Sequence, residues 1–152
     1  MLHIEIEDAD YQRAATAFLS SLSAGAQRAT SAEAAATRDA ITGGKYWQNR
    51  TGKLAQSFRV EQHPEHLGAV LVSGSKVARF LDAGTKAHAI APRKKGALRF
   101  VSNGRPVFAR RVQHPGTAPR NFTAAESAAA EPRLAGRVVS AAESAASSSG
   151  LG

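Results

Sequence analysis

Alanine is the feature that most limits how this chain can fold. Thirty-two of its 152 residues are alanine, about half of all its hydrophobic residues. A methyl side chain buries little apolar area, so few large residues remain to build a core. Alanine is also the strongest helix former and lets neighbouring backbones approach closely. The composition predicts helices with small-residue faces. It also predicts that part of the chain becomes ordered only through contact with neighbouring protein molecules.

Three absences narrow the class of protein further. The chain has no cysteine, which excludes disulfide frameworks, thiolate nucleophiles and zinc sites built on cysteine. No apolar run approaches the roughly 18 residues of a membrane span. The first residues are acidic, which is the opposite of a signal peptide's cationic start. We therefore expect a soluble protein that stays where it is made and does not contact a membrane.

Positive charge is concentrated in the middle of the chain. Residues 45–122 carry fifteen basic and three acidic side chains, whereas residues 1–44 carry three and six and residues 123–152 carry two and three. A dense positive surface attracts polyanions or acidic protein faces. The sequence thus predicts a basic module between near-neutral, alanine-rich ends.

The N-terminal third has a helical period. Apolar residues recur at helical spacing over residues 9–42, Asp8 is a candidate N-cap, and Gly43 and Gly44 end the pattern. Before this helix, residues 2–6 alternate apolar and polar, which predicts a short strand. The alanine stripe in the second half of the helix fits either a surface helix or a subunit interface.

The basic module has the shorter periods of strands and turns. Thr51 is placed to cap a short helical turn, residues 58–63 and 69–75 are predicted strands, and residues 75–82 a short helix that stops at Gly84. The clearest signal is a hairpin over residues 97–112, whose Asn103-Gly104 pair suits a tight turn with positive φ angles.

A second alanine-rich helix is predicted from about Thr123, interrupted at Pro132. The fold class that follows is α+β: a long N-terminal helix packed on a small, mainly antiparallel sheet, with a C-terminal helical segment. We predict one domain over residues 1–146 and a flexible tail over residues 147–152.

The inventory of catalytic groups is poor. His63 and His66 flank Pro64 in an apparent turn, where a solvated turn is the better interpretation than a metal site. The glycine-lysine pairs lack the spacing of a phosphate-binding loop. We therefore expect no enzyme activity, no metal and no cofactor.

Charge alone favours nucleic-acid binding as an alternative function, with the chain acting as a basic monomeric module. Phe100 and Phe108 could stack on bases, but aromatic residues on an alternating strand usually point into the core. The basic residues around the hairpin form the predicted interaction surface, which comprises Arg93, Lys94, Lys95, Arg99, Arg105, Arg110 and Arg111.

Three segments, in order, carry a resemblance to a known family. They are Thr51-Gly52-Lys53-Leu54-Ala55-Gln56-Ser57, then Val77 to Pro92 with Gly84, Thr85 and His88, then Ala97 to Phe122 with His114, Pro115, Gly116 and Thr117. Over residues 9–145 the chain resembles the small neck and tail-completion proteins of long-tailed bacteriophages and prophages, also described as minor tail or head–tail joining proteins. It departs from their pattern at Asp82, where glutamate is common, and at Asn49-Arg50, where a proline is common.

The resemblance implies a structural virion protein. Such a protein forms a ring at the head–tail junction that completes the tail or joins it to the capsid connector, after synthesis in the cytoplasm of the bacterial host. The implied partners are further copies of the chain, in a sixfold ring or alternatively a twelvefold one, and the neighbouring phage neck and tail proteins. The basic hairpin is expected either to meet acidic faces of adjoining rings or to make non-specific contact with passing DNA.

Overall fold

The computed structural model describes residues 9–93 and 96–149. Within them the chain forms two compact units. The first, unit 1, contains the described residues before Ser75 and after Asn121, and the second, unit 2, contains residues 75–121. The predicted strand over residues 2–6 and the predicted cap Asp8 lie outside the described residues. The α+β class is confirmed.

Unit 1 is built on two long helices. Helix α1 spans Ala9–Thr42, as the periodicity predicts. It ends where the glycines begin: the Gly43 amide still bonds to the Asp39 carbonyl at 2.8 Å, and Gly44 takes a φ of 99°. That left-handed conformation ends a helix at little cost only in glycine.

Helix α4 spans Phe122–Ser149 without a break, so the predicted interruption at Pro132 is wrong. Proline removes one backbone hydrogen bond and crowds the preceding turn. Here Pro132 lies on an exposed part of the helix, and packing of the opposite face against α1 maintains the helix past it. The helix also includes residues 147–149 of the predicted tail.

The two helices run antiparallel and approach closely at small residues. A Cβ atom on the buried Gly25 would lie 2.9 Å from the Cβ of Ala141. Contact this close is possible because neither position carries a bulky side chain. The alanine and glycine content of these helices therefore serves an intramolecular contact at this point.

A β-hairpin packs on α1 within the same unit. Strands β1 (Phe58–His63) and β2 (Gly68–Ser73) pair antiparallel around a 3-10 turn at Pro64–His66. The Thr30 hydroxyl of α1 donates to the Leu67 carbonyl at 3.0 Å, which ties the helix to the turn. The two predicted strands are thus confirmed, and they form the sheet on which α1 packs.

Unit 1 has a buried aromatic cluster. Trp47 packs against Phe58 and Phe122, with ring centroids 5.9 and 5.5 Å away, Phe58 and Phe122 lie 6.1 Å apart, and Tyr46 lies 5.7 Å from Phe122. These residues come from the segment after α1, the start of β1 and the start of α4, so the cluster joins three parts of the chain. It supplies apolar area that the alanine faces lack.

The described residues of unit 2 form one helix and four short strands. Helix α3 spans Lys76–Ala83, and strands β3 (His88–Ile90) and β6 (Val112–His114) form one antiparallel pair. Strands β4 (Leu98–Ser102) and β5 (Arg105–Ala109) form a separate hairpin. Its turn has φ angles of 51° at Asn103 and 75° at Gly104, as predicted.

The single predicted sheet is wrong, because the strands of the described residues form three separate two-stranded sheets. Val112, assigned to the 97–112 hairpin, instead pairs with Ile90 in β6. The reason is that Arg110 and Arg111 interrupt the apolar alternation after β5, and the chain changes partner there.

Candidate functional site

The Gly-Thr segments of the family-like pattern meet in unit 2. Thr85 and Thr117 form an isolated antiparallel bridge: the Thr85 amide donates to the Thr117 carbonyl at 2.9 Å, and the Thr117 amide donates to the Thr85 carbonyl at 3.1 Å. The Thr85 hydroxyl accepts a further bond from the Thr117 amide at 3.0 Å. We call residues 84–88 and 114–117 the clasp.

Two glycines make the clasp possible. Gly84 has a φ of 73°, and a Cβ there would lie 2.6 Å from the Thr117 carbonyl oxygen. Gly116 has a φ of 92°, and its Cβ would lie 2.3 Å from the Thr85 carbonyl oxygen. Each glycine thus faces the backbone of the opposite segment, where a side chain would collide with it.

Two histidines extend the clasp into strands β3 and β6. His88 and His114 are paired in register, and their rings stack with centroids 5.1 Å apart. The His88 Nδ1 lies 3.0 Å from the Lys86 carbonyl, so it donates. The His114 Nδ1 lies 3.0 Å from the Gly116 amide and accepts. Both rings are therefore oriented by the backbone of the clasp.

The chain after the clasp caps helix α3. The Arg120 amide donates to the Leu81 and Asp82 carbonyls at 3.0 and 3.1 Å, and the Asn121 amide donates to the Asp82 carbonyl at 3.1 Å. These bonds satisfy carbonyls that a helix end otherwise leaves to solvent. The clasp is thereby joined to α3 by backbone bonds as well.

The first motif of the resemblance, residues 51–57, lies in unit 1. Helix α2 spans Lys53–Gln56. Its N-cap is Gly52, with a φ of 73° and no side-chain cap, so the prediction that Thr51 caps this turn is wrong. Ser57 does bond locally, donating to the Leu54 carbonyl at 2.6 Å, and its hydroxyl also lies 2.9 Å from that of Ser73 in β2.

The described members of the basic surface are all exposed. Lys94 and Lys95 lie outside the described residues. Among the residues that the structure describes, none of the five arginines of this surface forms a salt bridge. Phe100 and Phe108 are also exposed, so the expectation that they point into a core is wrong. The hairpin presents both cations and apolar side chains to solvent.

A buried ion cluster in unit 1 was missed by sequence reasoning. Glu33 of α1 is only 4% exposed. It accepts from Arg133 at 2.7 Å and from Arg137 at 3.2 Å, both on α4. The available signal was an acid on the alanine stripe of one helix and two arginines four residues apart on the other.

A second buried carboxylate lies near the aromatic cluster. Glu126 accepts from the Tyr46 hydroxyl at 2.6 Å and from the Lys45 ammonium at 2.9 Å. The hydrogen bond from Tyr46 has the larger effect and that from Lys45 the smaller one. Together they hold the pKa of Glu126 below its ordinary value, although burial raises it.

We expect this arrangement to make unit 1 acid-sensitive. A carboxyl whose pKa is depressed by folding contributes stability that is present above its unfolded pKa and lost as pH falls through its folded pKa. The free energy of unfolding is measured with urea at neutral pH and at about pH 3. Between these two pH values it should fall less for Glu126→Gln than for the natural chain. Glu143→Gln, on the exposed face of α4, is the control and should behave like the natural chain. An equal fall in all three proteins would contradict the assignment.

Comparisons with models of protein families, with curated proteins and with solved structures found no match. Across residues 9–93 and 96–149, no group of three or more histidine, aspartate or glutamate side chains could hold a metal ion. No helix in those ranges has the length and apolar character to cross a membrane.

Proposed function

We propose that this protein is a structural virion protein of a tailed bacteriophage. It forms a ring at the head–tail junction, where it completes the tail or joins it to the capsid connector. Its partners are further copies of the chain and the neighbouring neck and tail proteins, and it turns over no substrate.

The clasp is the observation that carries this proposal. Two motifs of the resemblance, 32 residues apart in sequence, bond directly to each other and depend on glycine at Gly84 and Gly116. The bonds run between backbone groups, and glycine adopts the positive φ angles at little cost, so the motif maintains a shape. The β4–β5 hairpin, with Val101 and Phe108 exposed to solvent, suits a protein that works by contact with neighbours.

The charge distribution favours one alternative, a monomeric nucleic-acid-binding module. Exposed arginines without salt bridges would contact phosphates, and such binding weakens steeply with salt. Titration of the purified protein with duplex DNA at low and moderate salt tests this alternative.

The proposed function is tested by imaging particles made without the gene. Heads filled with DNA and tails that fail to join, or tails that fail to complete, are the expected products, and supplying the gene in trans should restore them. Normal infectious particles that lack the protein would refute the proposal. Salt-sensitive DNA binding by the monomer would then favour the alternative.

A further inference from the structure

One face of the β4–β5 hairpin is apolar toward its turn and cationic at its open end. Strand alternation and the register place Arg99 and Val101 of β4 on the same face as Pro106 and Phe108 of β5. Val101 is 72% exposed and Phe108 66% exposed. Arg110 follows β5, two residues after Phe108, and is exposed too. We call these five residues the hairpin face.

This composition favours a protein surface over duplex DNA as the occupant. Phosphate contacts need cations but gain little from exposed valine and phenylalanine. In a duplex the bases, on which an aromatic side chain could stack, are already stacked on one another. A protein interface instead buries apolar side chains at its centre and places charged groups at its rim.

Helix α4 has an outer surface of the opposite charge. Glu131, Ala135, Val139 and Glu143 are spaced by four residues, so they form one ridge along the helix. All four are exposed, Val139 at 56%. Neither glutamate forms a salt bridge within the described residues. We call these four residues the helix ridge.

The two surfaces carry opposite charge beside apolar side chains. The ridge runs acid, apolar, apolar, acid over about 18 Å. The hairpin face has both of its arginines at the open end of the hairpin, next to Phe108, with Val101 and Pro106 toward the turn. The whole chain has the same asymmetry, since residues 75–121 carry eleven basic and one acidic side chain while the remainder carries nine and eleven.

We infer that the hairpin face of one copy docks on the helix ridge of a second copy. Both surfaces are exposed within a single copy, so each is available to a neighbour. A contact between two different patches is heterologous, and its repetition generates a ring when the rotation between copies closes. This inference rests on the proposed ring function and names the surfaces that would form its interface.

Cysteine cross-linking tests the contact, because the natural chain has no cysteine. Phe108→Cys protein is mixed with Val139→Cys protein at high concentration under mild oxidation. We expect the mixed disulfide dimer to exceed either homodimer several-fold. In the matched control, Phe108→Cys is mixed with Thr16→Cys, an exposed helical position of unit 1, and should give no such excess. A mixed yield equal to the control would overturn the inference.

Charge reversal provides the second measurement. Arg99→Glu with Arg110→Glu in the Phe108→Cys protein should lower the mixed yield, and Glu131→Arg with Glu143→Arg in the Val139→Cys protein should restore it. A yield unaffected by either change would overturn the inference, as would loss of DNA binding in the arginine variant without any loss of cross-linking.

The neck function and the contact between the hairpin face and the helix ridge can be refuted independently. Cross-linking at these surfaces together with normal gene-deleted particles would retain this contact and refute the neck function. Defective particles together with an absence of cross-linking would retain the neck function and refute this contact.

Discussion

Replacing Gly116 with alanine is expected to open the clasp. The new Cβ would lie 2.3 Å from the Thr85 carbonyl oxygen, and the residue would retain a φ of 92°. The left-handed conformation alone costs an L-residue about 1–2 kcal/mol. Displacement of the backbone of the opposite segment adds a similar amount, so we expect a loss of about 3 kcal/mol. Hydrogen exchange at the Thr85 and Thr117 amides, which form the bridge, should become much faster.

Gly104→Ala is the matched control for this prediction. Gly104 also has a positive φ, of 75°, but apart from its own chain neighbours no atom lies within 4 Å of the position of its Cβ. It therefore reports the conformational cost without the collision, about 1–2 kcal/mol. The amides of Thr85 and Thr117 should stay protected in this variant. Equal losses of protection in both variants would show that the close approach in the clasp has no energetic weight.

Replacing Glu33 with alanine is expected to have an effect of similar size on unit 1. The change leaves Arg133 and Arg137 without their shared partner at the contact between α1 and α4. Breaking a buried pair costs about 3–5 kcal/mol. The arginine side chains are 41% and 45% exposed, so water replaces part of the lost interaction. We therefore expect a loss of about 2–3 kcal/mol in urea unfolding.

The exposed pair Arg59–Glu61 provides the comparison. Its side chains are 65% and 42% exposed, and pairs of this kind contribute about 0–1 kcal/mol. Glu61→Ala should thus change the free energy of unfolding little. If Glu33→Ala is as mild as Glu61→Ala, the two helices are held together by apolar contacts alone.

Local patterns predicted the elements whose determinants lie within a few residues of one another. Helix α1 has an uninterrupted period and two glycines after it, and the Asn103-Gly104 turn needs two positive φ angles that these residue types tolerate. The strands β1 and β2 likewise follow from alternation around Pro64. In these segments the sequence neighbours decide the conformation.

The predictions that are wrong concern residues whose conformation depends on contacts with distant parts of the chain. Proline at position 132 is a local helix breaker, but packing against a helix about a hundred residues earlier in the chain keeps α4 continuous. Glu33, Arg133 and Arg137 each look like ordinary surface residues until the helices are aligned. The motifs identified Gly84 and Gly116 as important turn residues, whereas the close approach of each to the backbone of the opposite segment required the three-dimensional structure.

The position of unit 2 in the chain has a consequence for the order of folding. Its clasp joins residues 32 apart, whereas the contacts of Glu33 with α4 join residues 100 and 104 apart. Contacts between near residues close small loops and form early, and those between distant residues form late. On the ribosome, unit 2 is synthesised before α4, so the hairpin face can form while the helix ridge does not yet exist. A growing chain would then present the hairpin face without the helix ridge. Self-association through both surfaces is thereby delayed until α4 has been made and has docked on α1.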